Sequence, residues 1–203
     1  MKLVYKGKYS GDESTLPQRE HPEGYVPYKE PNSMKNFALL LNGISIIVLI
    51  FMFWVTYMIL NKNGIEINKM DFSYCMWVYA GGVASLIALI PHELLHAICF
   101  KEEVLMFQNL KQAMLFVVGT EDMSKSRFIF MSMLPNIVFG FIPYLIFIIN
   151  PNLIFFGIFG LASICSGIGD YMNVFNTIFQ VPKGGIVYMS GMHSYWYMPK
   201  TQL

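Results

Sequence analysis

The sequence predicts an all-α membrane protein, with four transmembrane helices and short β-hairpin elements on the cytoplasmic side. Three observations predict it. Of 203 residues, 55% are apolar and only 13% charged, and the mean hydropathy is positive; a soluble domain of this length seldom combines these values. Four windows are long and apolar enough for the roughly 20-residue helix that crosses a bilayer. The basic residues sort to alternate sides of those windows.

Residues 1–36 form a polar arm of Pro, Gly and mixed charge, expected to be disordered. Residues 37–180 hold the membrane domain. Its first helix, 37–60, carries no charge. It starts too late and runs too long for a cleavable signal peptide, so it reads as a signal anchor. The second, 73–100, contains "PHELLHA". The stretch "VLMFQNLKQAMLFVVGT" (104–120) is rich in β-branched and aromatic residues around a polar middle at Gln108 to Gln112, which suggests a hairpin, with an interfacial helix as the alternative. The third helix, 128–149, carries Pro135 and Asn136, and the fourth, 152–179, carries "SGIGD". Residues 181–203 form a tail. In it "GGIVYMSGMHSYWYMP" reads as two short strands around Ser190 and Gly191, with tyrosines and Trp196 suited to headgroup level.

Charge sets the orientation. Lys2, Lys6, Lys8, Arg19, Lys29 and Lys35 precede the first helix, Lys101, Lys111, Lys125 and Arg127 lie between the second and third, and Lys183 and Lys200 follow the fourth. The other side has only Lys62 and Lys69. Twelve against two places both termini in the cytoplasm. Lys-, Ile- and Asn-rich usage suggests a bacterial inner membrane, with the lipid bilayer as the first partner. A formal net charge of +1 gives no global field for nucleic acid. Cys75, Cys99 and Cys165 form neither a CxxC pair nor a disulfide framework and read as small core residues.

Two histidines and a glutamate inside an apolar window are costly at membrane depth, and call for a water-filled cavity, a partner or a metal. His92 and His96 are four apart and share one helix face. Both imidazoles can therefore reach one ion. Glu93 is turned by about 100° and is placed to touch a water on that ion. This is HExxH: two metal ligands and a general base. Zinc lowers the pKa of its water to about 7, and the glutamate takes the proton as the water attacks a carbonyl. The bland alternative is a solvated helix face, or a helix restarting at Pro91 near the interface.

A third ligand is needed. Asp170 is the one acid of the fourth helix. His92 lies nineteen residues into the second helix from Ser73, and Asp170 eighteen into the fourth from Asn152, so both reach nearly the same depth. Gly167 and Gly169 allow close helix approach there. The alternative is a helix-terminal carboxylate in water. Competing donors are Glu102, Glu103, Glu121, Asp122 and His193; His21 belongs to the arm and is given no role. Asn173 shares Asp170's face and can orient it or bind a substrate carbonyl. Asn136 is a second polar group at depth, and Pro135 frees a backbone carbonyl that can face the cavity. Both asparagines also serve as helix–helix glue.

HExxH on one membrane helix with an aspartate on a later one resembles site-2-protease-type intramembrane zinc metalloproteases. "HELLHA", "MSKSRFIFMSMLPNIV", the "GD" of "SGIGDYMN" and "VPKGGIVY" resemble more closely the DUF3267 family of small bacterial membrane proteins, whose name proposes a zincin-type peptidase. That resemblance runs over residues 73–198. It implies Zn2+ on His92, His96 and Asp170, with Glu93 as catalytic base. The acid lacks an LDG or NPDG context, and no PDZ module is evident. The expected function is an integral membrane zinc-dependent peptidase, hydrolysing peptide bonds of a membrane or membrane-associated protein substrate at or within the bilayer. The hairpin would offer an edge to an extended segment of it. The alternative is a non-catalytic metal-binding membrane accessory or immunity-type protein. A metal transporter comes third, since four helices with one buried acid make a thin pathway.

Overall fold

Apolar sequence becomes helix where expected. The computed structural model describes residues 2–31, 34–66, 71–109 and 114–200, with Met34 and Lys35 as backbone only. Its helices are α1 (Met34–Lys62), α2 (Phe72–Ile87), α3 (Leu89–Ile98), α4 (Lys125–Pro135), α5 (Ile142–Ile149), α6 (Ile154–Ser166) and α7 (Ile168–Gln180), with a π-helical segment, Asn136–Phe141, between α4 and α5. Among the described residues, Asn36–Lys62, Phe72–Ile98 and Lys125–Ile149 are long and apolar enough to cross a membrane. The bent pair α6 and α7 adds a fourth candidate. Ile46, Ile47, Ile50, Phe51 and Trp54 of α1 are exposed, so this helix turns large apolar side chains outward.

The last three expected helices are each interrupted. The cause is local chemistry. Pro91 has no N–H to bond the Ile87 carbonyl, and the chain turns at Ala88 before α3. Pro135 ends α4 and leads into the π segment. Gly167 separates α6 from α7.

The chain divides into two units. One comprises residues 31–89 and 135–170. It packs through glycine. A Cβ on Gly81 would meet the Phe155 carbonyl oxygen at 2.7 Å, and one on Gly160 would meet the Tyr144 nitrogen at 2.6 Å and the Gly140 oxygen at 2.7 Å. Backbones approach closely because these side chains are missing, which is how apolar helices associate without a hydrophobic drive. Hydroxyls add polar glue: buried Thr56 contacts Tyr144 Oη at 2.9 Å, and half-buried Ser45 donates to the Cys165 carbonyl at 3.0 Å.

The other unit comprises residues 1–30, 90–134 and 171–203. It holds β1 (Lys2–Lys8), β2 (Val26–Pro27), β3 (Glu103–Asn109), β4 (Met114–Val118), β5 (Met123–Ser124), β6 (Ile186–Ser190) and β7 (His193–Tyr197). Two sheets form, in the orders β1-β3-β4 and β2-β7-β6-β5. The hairpin expected at 104–120 is present, with Leu105 opposite Val118 and Asn109 opposite Met114; residues 110–113, including Lys111, lie outside those described, as does Lys69. The tail strands β6 and β7 turn at Gly191, whose positive φ of 62° suits glycine. Ala97, Phe100, Val104, Met123, Phe128 and Val187 form the core of this unit.

The N-terminal arm departs from expectation. Its described residues pair into the sheets: β1 runs parallel to β3, from Lys2 opposite Glu103 to Lys8 opposite Gln108, and β2 pairs with β7. Leu3 and Tyr28 join the core, and the arm's His21 stacks on Tyr25 and lies 3.0 Å from Tyr188 Oη. An arm with no core of its own is held by partners far along the chain, Glu103 opposite Lys2 and Trp196 opposite Val26. The cysteines also divide: Cys165 is buried, Cys99 half-buried and Cys75 exposed on α2.

Candidate metal centre

The HExxH residues sit on α3, with Pro91 in its first turn, where a missing N–H costs nothing. His92 and His96 are nearly buried, at 9% and 6% exposure. Their Nε2 atoms lie 3.2 Å apart. A carboxylate oxygen of Glu93 joins them, the three ligand atoms all falling within 4.8 Å of one another.

His96 is fixed by α4. Its Nδ1 lies 2.9 Å from the Met131 carbonyl oxygen. A carbonyl only accepts, so Nδ1 carries the proton and donates it, and Nε2 keeps its lone pair. The carbonyl is available for a chemical reason. In a helix it would bond the N–H four residues on, and that residue is Pro135. The freed carbonyl anticipated from Pro135 is therefore that of Met131, and it holds a histidine.

This donor set fits zinc. Zn–N distances of about 2.0–2.1 Å at a tetrahedral angle place two ligand nitrogens about 3.3 Å apart. The Nε2 separation matches, and a backbone carbonyl on the other ring nitrogen is the usual outer support of a zinc histidine.

In the other unit a second cluster holds Asp170. Asn136 is fully buried in the π segment and its Nδ2 donates to Asp170 Oδ2 at 2.7 Å. Gly167 makes the room, because a Cβ there would overlap Asn136 Oδ1. Asp170 lies in the first turn of α7, where the helix dipole favours a carboxylate. Asn173, one turn further along α7 and already within the unit of the HExxH residues, is half-buried and its carbonyl accepts the Thr177 hydroxyl at 2.6 Å.

A family model described as "Putative zincin peptidase" matches residues 85–186, half of the chain, spanning His92, Glu93, His96, Asn136, Asp170 and Asn173. The chain belongs to the DUF3267 family. No curated protein and no solved structure matches it. The residues that the DUF3267 family model matches include the closely spaced histidine pair of α3.

Most of the competing donors are engaged elsewhere. Glu103 pairs with Lys2 at 2.6 Å. Asp122 pairs with Arg19 at 2.8 Å and accepts Tyr197 Oη at 2.9 Å. His193, half-exposed at the start of β7, faces Glu13 and Glu30 at 3.8 and 3.6 Å. Glu102 is exposed.

Glu121 belongs to a clamp that the sequence did not disclose. The Cys99 carbonyl, just past the end of α3, has no helical partner of its own. Arg127 donates to it through Nε at 3.2 Å and Nη2 at 2.6 Å. Arg127 Nη1 also pairs with Glu121 Oε1 at 2.6 Å, and Glu121 Oε2 accepts the backbone N–H groups of Lys101 and Glu102 at 2.6 and 3.0 Å. Burial alone would raise the Glu121 pKa. The two N–H donors and Arg127 outweigh it and hold the carboxyl below the usual range. Only an i,i+4 spacing, Arg127 to Met131, signals that one face of α4 supports both ends of α3's last turn.

A pH dependence follows. A carboxyl with a lowered folded pKa stabilises the fold above its unfolded value of about 4.3 and stops doing so as pH falls through the folded value. Glu121→Gln is expected to lose on the order of 2 kcal/mol at pH 7, low for a buried pair because Arg127 stays partly exposed. Thermal midpoints in detergent between pH 7 and 3 check it: wild type should fall towards the variant at the acid end. Parallel curves would exclude the ionised clamp.

Proposed function

We propose that this chain is an integral membrane zinc-dependent peptidase that hydrolyses peptide bonds of a membrane or membrane-associated protein at or within the bilayer. The observation that carries the reading is the Nε2 pair, 3.2 Å apart, with His96 held in the metal-binding tautomer by the Met131 carbonyl. His92, His96 and Asp170 are the proposed ligands. The Asn136 amide that orients its carboxylate supports Asp170. Asn173 is the proposed group for a substrate carbonyl.

Zinc at the histidines would polarise the scissile carbonyl and make an attacking water more acidic. Glu93 takes the proton from that water and returns it to the leaving amine. A membrane helix hides its amides in hydrogen bonds, so the substrate must arrive extended. In the sheet β1-β3-β4, β3 is flanked on both sides, and β4 is the outer strand of the hairpin that can accept such a segment.

The membrane is proposed to be a bacterial inner membrane, with both termini cytoplasmic. Strand pairing supports one shared side for the arm, the hairpin and the tail. Hydrogen-bonded strands lie on the same side, so the chain crosses an even number of times between β1 and β3 and again between β5 and β6.

Metal content tests the reading. Detergent-purified protein is expected to carry about one zinc per chain, and its removal by a chelator should lower the thermal midpoint, because a ligand held at 100 times its Kd adds about 2.7 kcal/mol. A folded protein that takes up no divalent metal would leave the histidines as a hydrogen-bonded pair and end the peptidase reading.

A further inference from the structure

We propose that Pro135 is a positioning residue for the metal ligand His96, acting by what its nitrogen lacks. The inference rests on the metal-site reading above but concerns a residue that never touches the ion. The Met131 carbonyl lies on a helix whose next turn would ordinarily claim it. Any other residue at position 135 would present an N–H along the helix axis, turn the carbonyl inward and share its lone pairs. Proline presents none, and the carbonyl meets His96 Nδ1 at 2.9 Å.

The consequence is a choice of tautomer. With Nδ1–H committed to Met131, the neutral ring keeps its lone pair on Nε2, 3.2 Å from His92 Nε2. A competing donor would let the ring sample the other tautomer, in which Nε2 carries hydrogen and cannot bind metal. Arg127 supports the same arrangement from one turn earlier on α4 by holding the Cys99 carbonyl, so the two helices keep their register.

Two replacements separate the missing N–H from the ring. Pro135→Ala restores the donor. Lactic acid in place of Pro135, introduced as an ester by nonsense suppression, removes the ring yet still offers no N–H. Zinc affinity is measured by chelator competition, and the His96 tautomer by 15N NMR on the metal-free protein. Pro135→Ala should weaken zinc binding about tenfold, at the low end for loss of an outer partner, and convert His96 to a tautomer mixture. The ester should stay within about twofold of wild type with Nδ1–H retained. Equal behaviour of the two, both altered or both unaltered, would overturn the proposal. If wild type binds no zinc the metal reading fails, while the tautomer spectra still decide the role of Pro135. If Pro135→Ala does not fold, an ester protein with altered tautomer or weakened zinc overturns it alone.

Discussion

Glu93→Gln is expected to retain zinc and lower kcat by about a hundred- to ten-thousand-fold, the usual contribution of a general base. Gln fills nearly the same volume and has a similar helix propensity, so α3 should be undisturbed. What it loses is the ability to take a proton. The carboxylate oxygen is close enough to the imidazole nitrogens, all within 4.8 Å, to reach a water on a shared ion. The comparison needs zinc content and cleavage on the same vesicle preparation, with KM little changed. Full activity in the variant would remove Glu93 from the chemistry. A cellular phenotype that survives the substitution would favour the non-catalytic metal-binding accessory role.

Asp170→Ala is expected to reduce zinc affinity by more than a hundredfold, beyond the ten- to hundredfold that loss of an outer partner costs. Asn136→Ala, which removes only the amide bonded to Oδ2, should fall within that smaller range. The graded pair distinguishes a ligand from its support. Elemental analysis at equal free zinc provides the measure. Wild-type zinc in Asp170→Ala would move the third ligand elsewhere, and Glu102, exposed just before β3, would be tested next.

The apolar helices and the closeness of the two histidines were legible because both are local patterns: apolar runs of fixed length, and side chains one turn apart. The freed carbonyl was legible in kind, since a proline in a helix always deprives the carbonyl four residues before it. Its partner His96 was not, because no periodicity links residue 131 to residue 96. Arg127 and Glu121 were hidden for the same reason: each looks like an interfacial charge until packing brings Cys99 beside them. The arm failed most instructively. Its polar composition is that of a disordered segment, but β1 and β2 need no core of their own when β3 and β7 supply one.

The sheet pairings also impose an order in time. The core beside α3 draws Tyr28 from the start of the chain and Val181 and Val187 from near its end. Chains emerge from the ribosome N-terminus first, and distant contacts wait for the last partner to arrive. During translation, α3 therefore leaves the ribosome well before its packing can be finished. The final pieces come only after the last span has been made. On the peptidase reading proposed above, the packing around α3 would stay unfinished while the apolar helices are still being made.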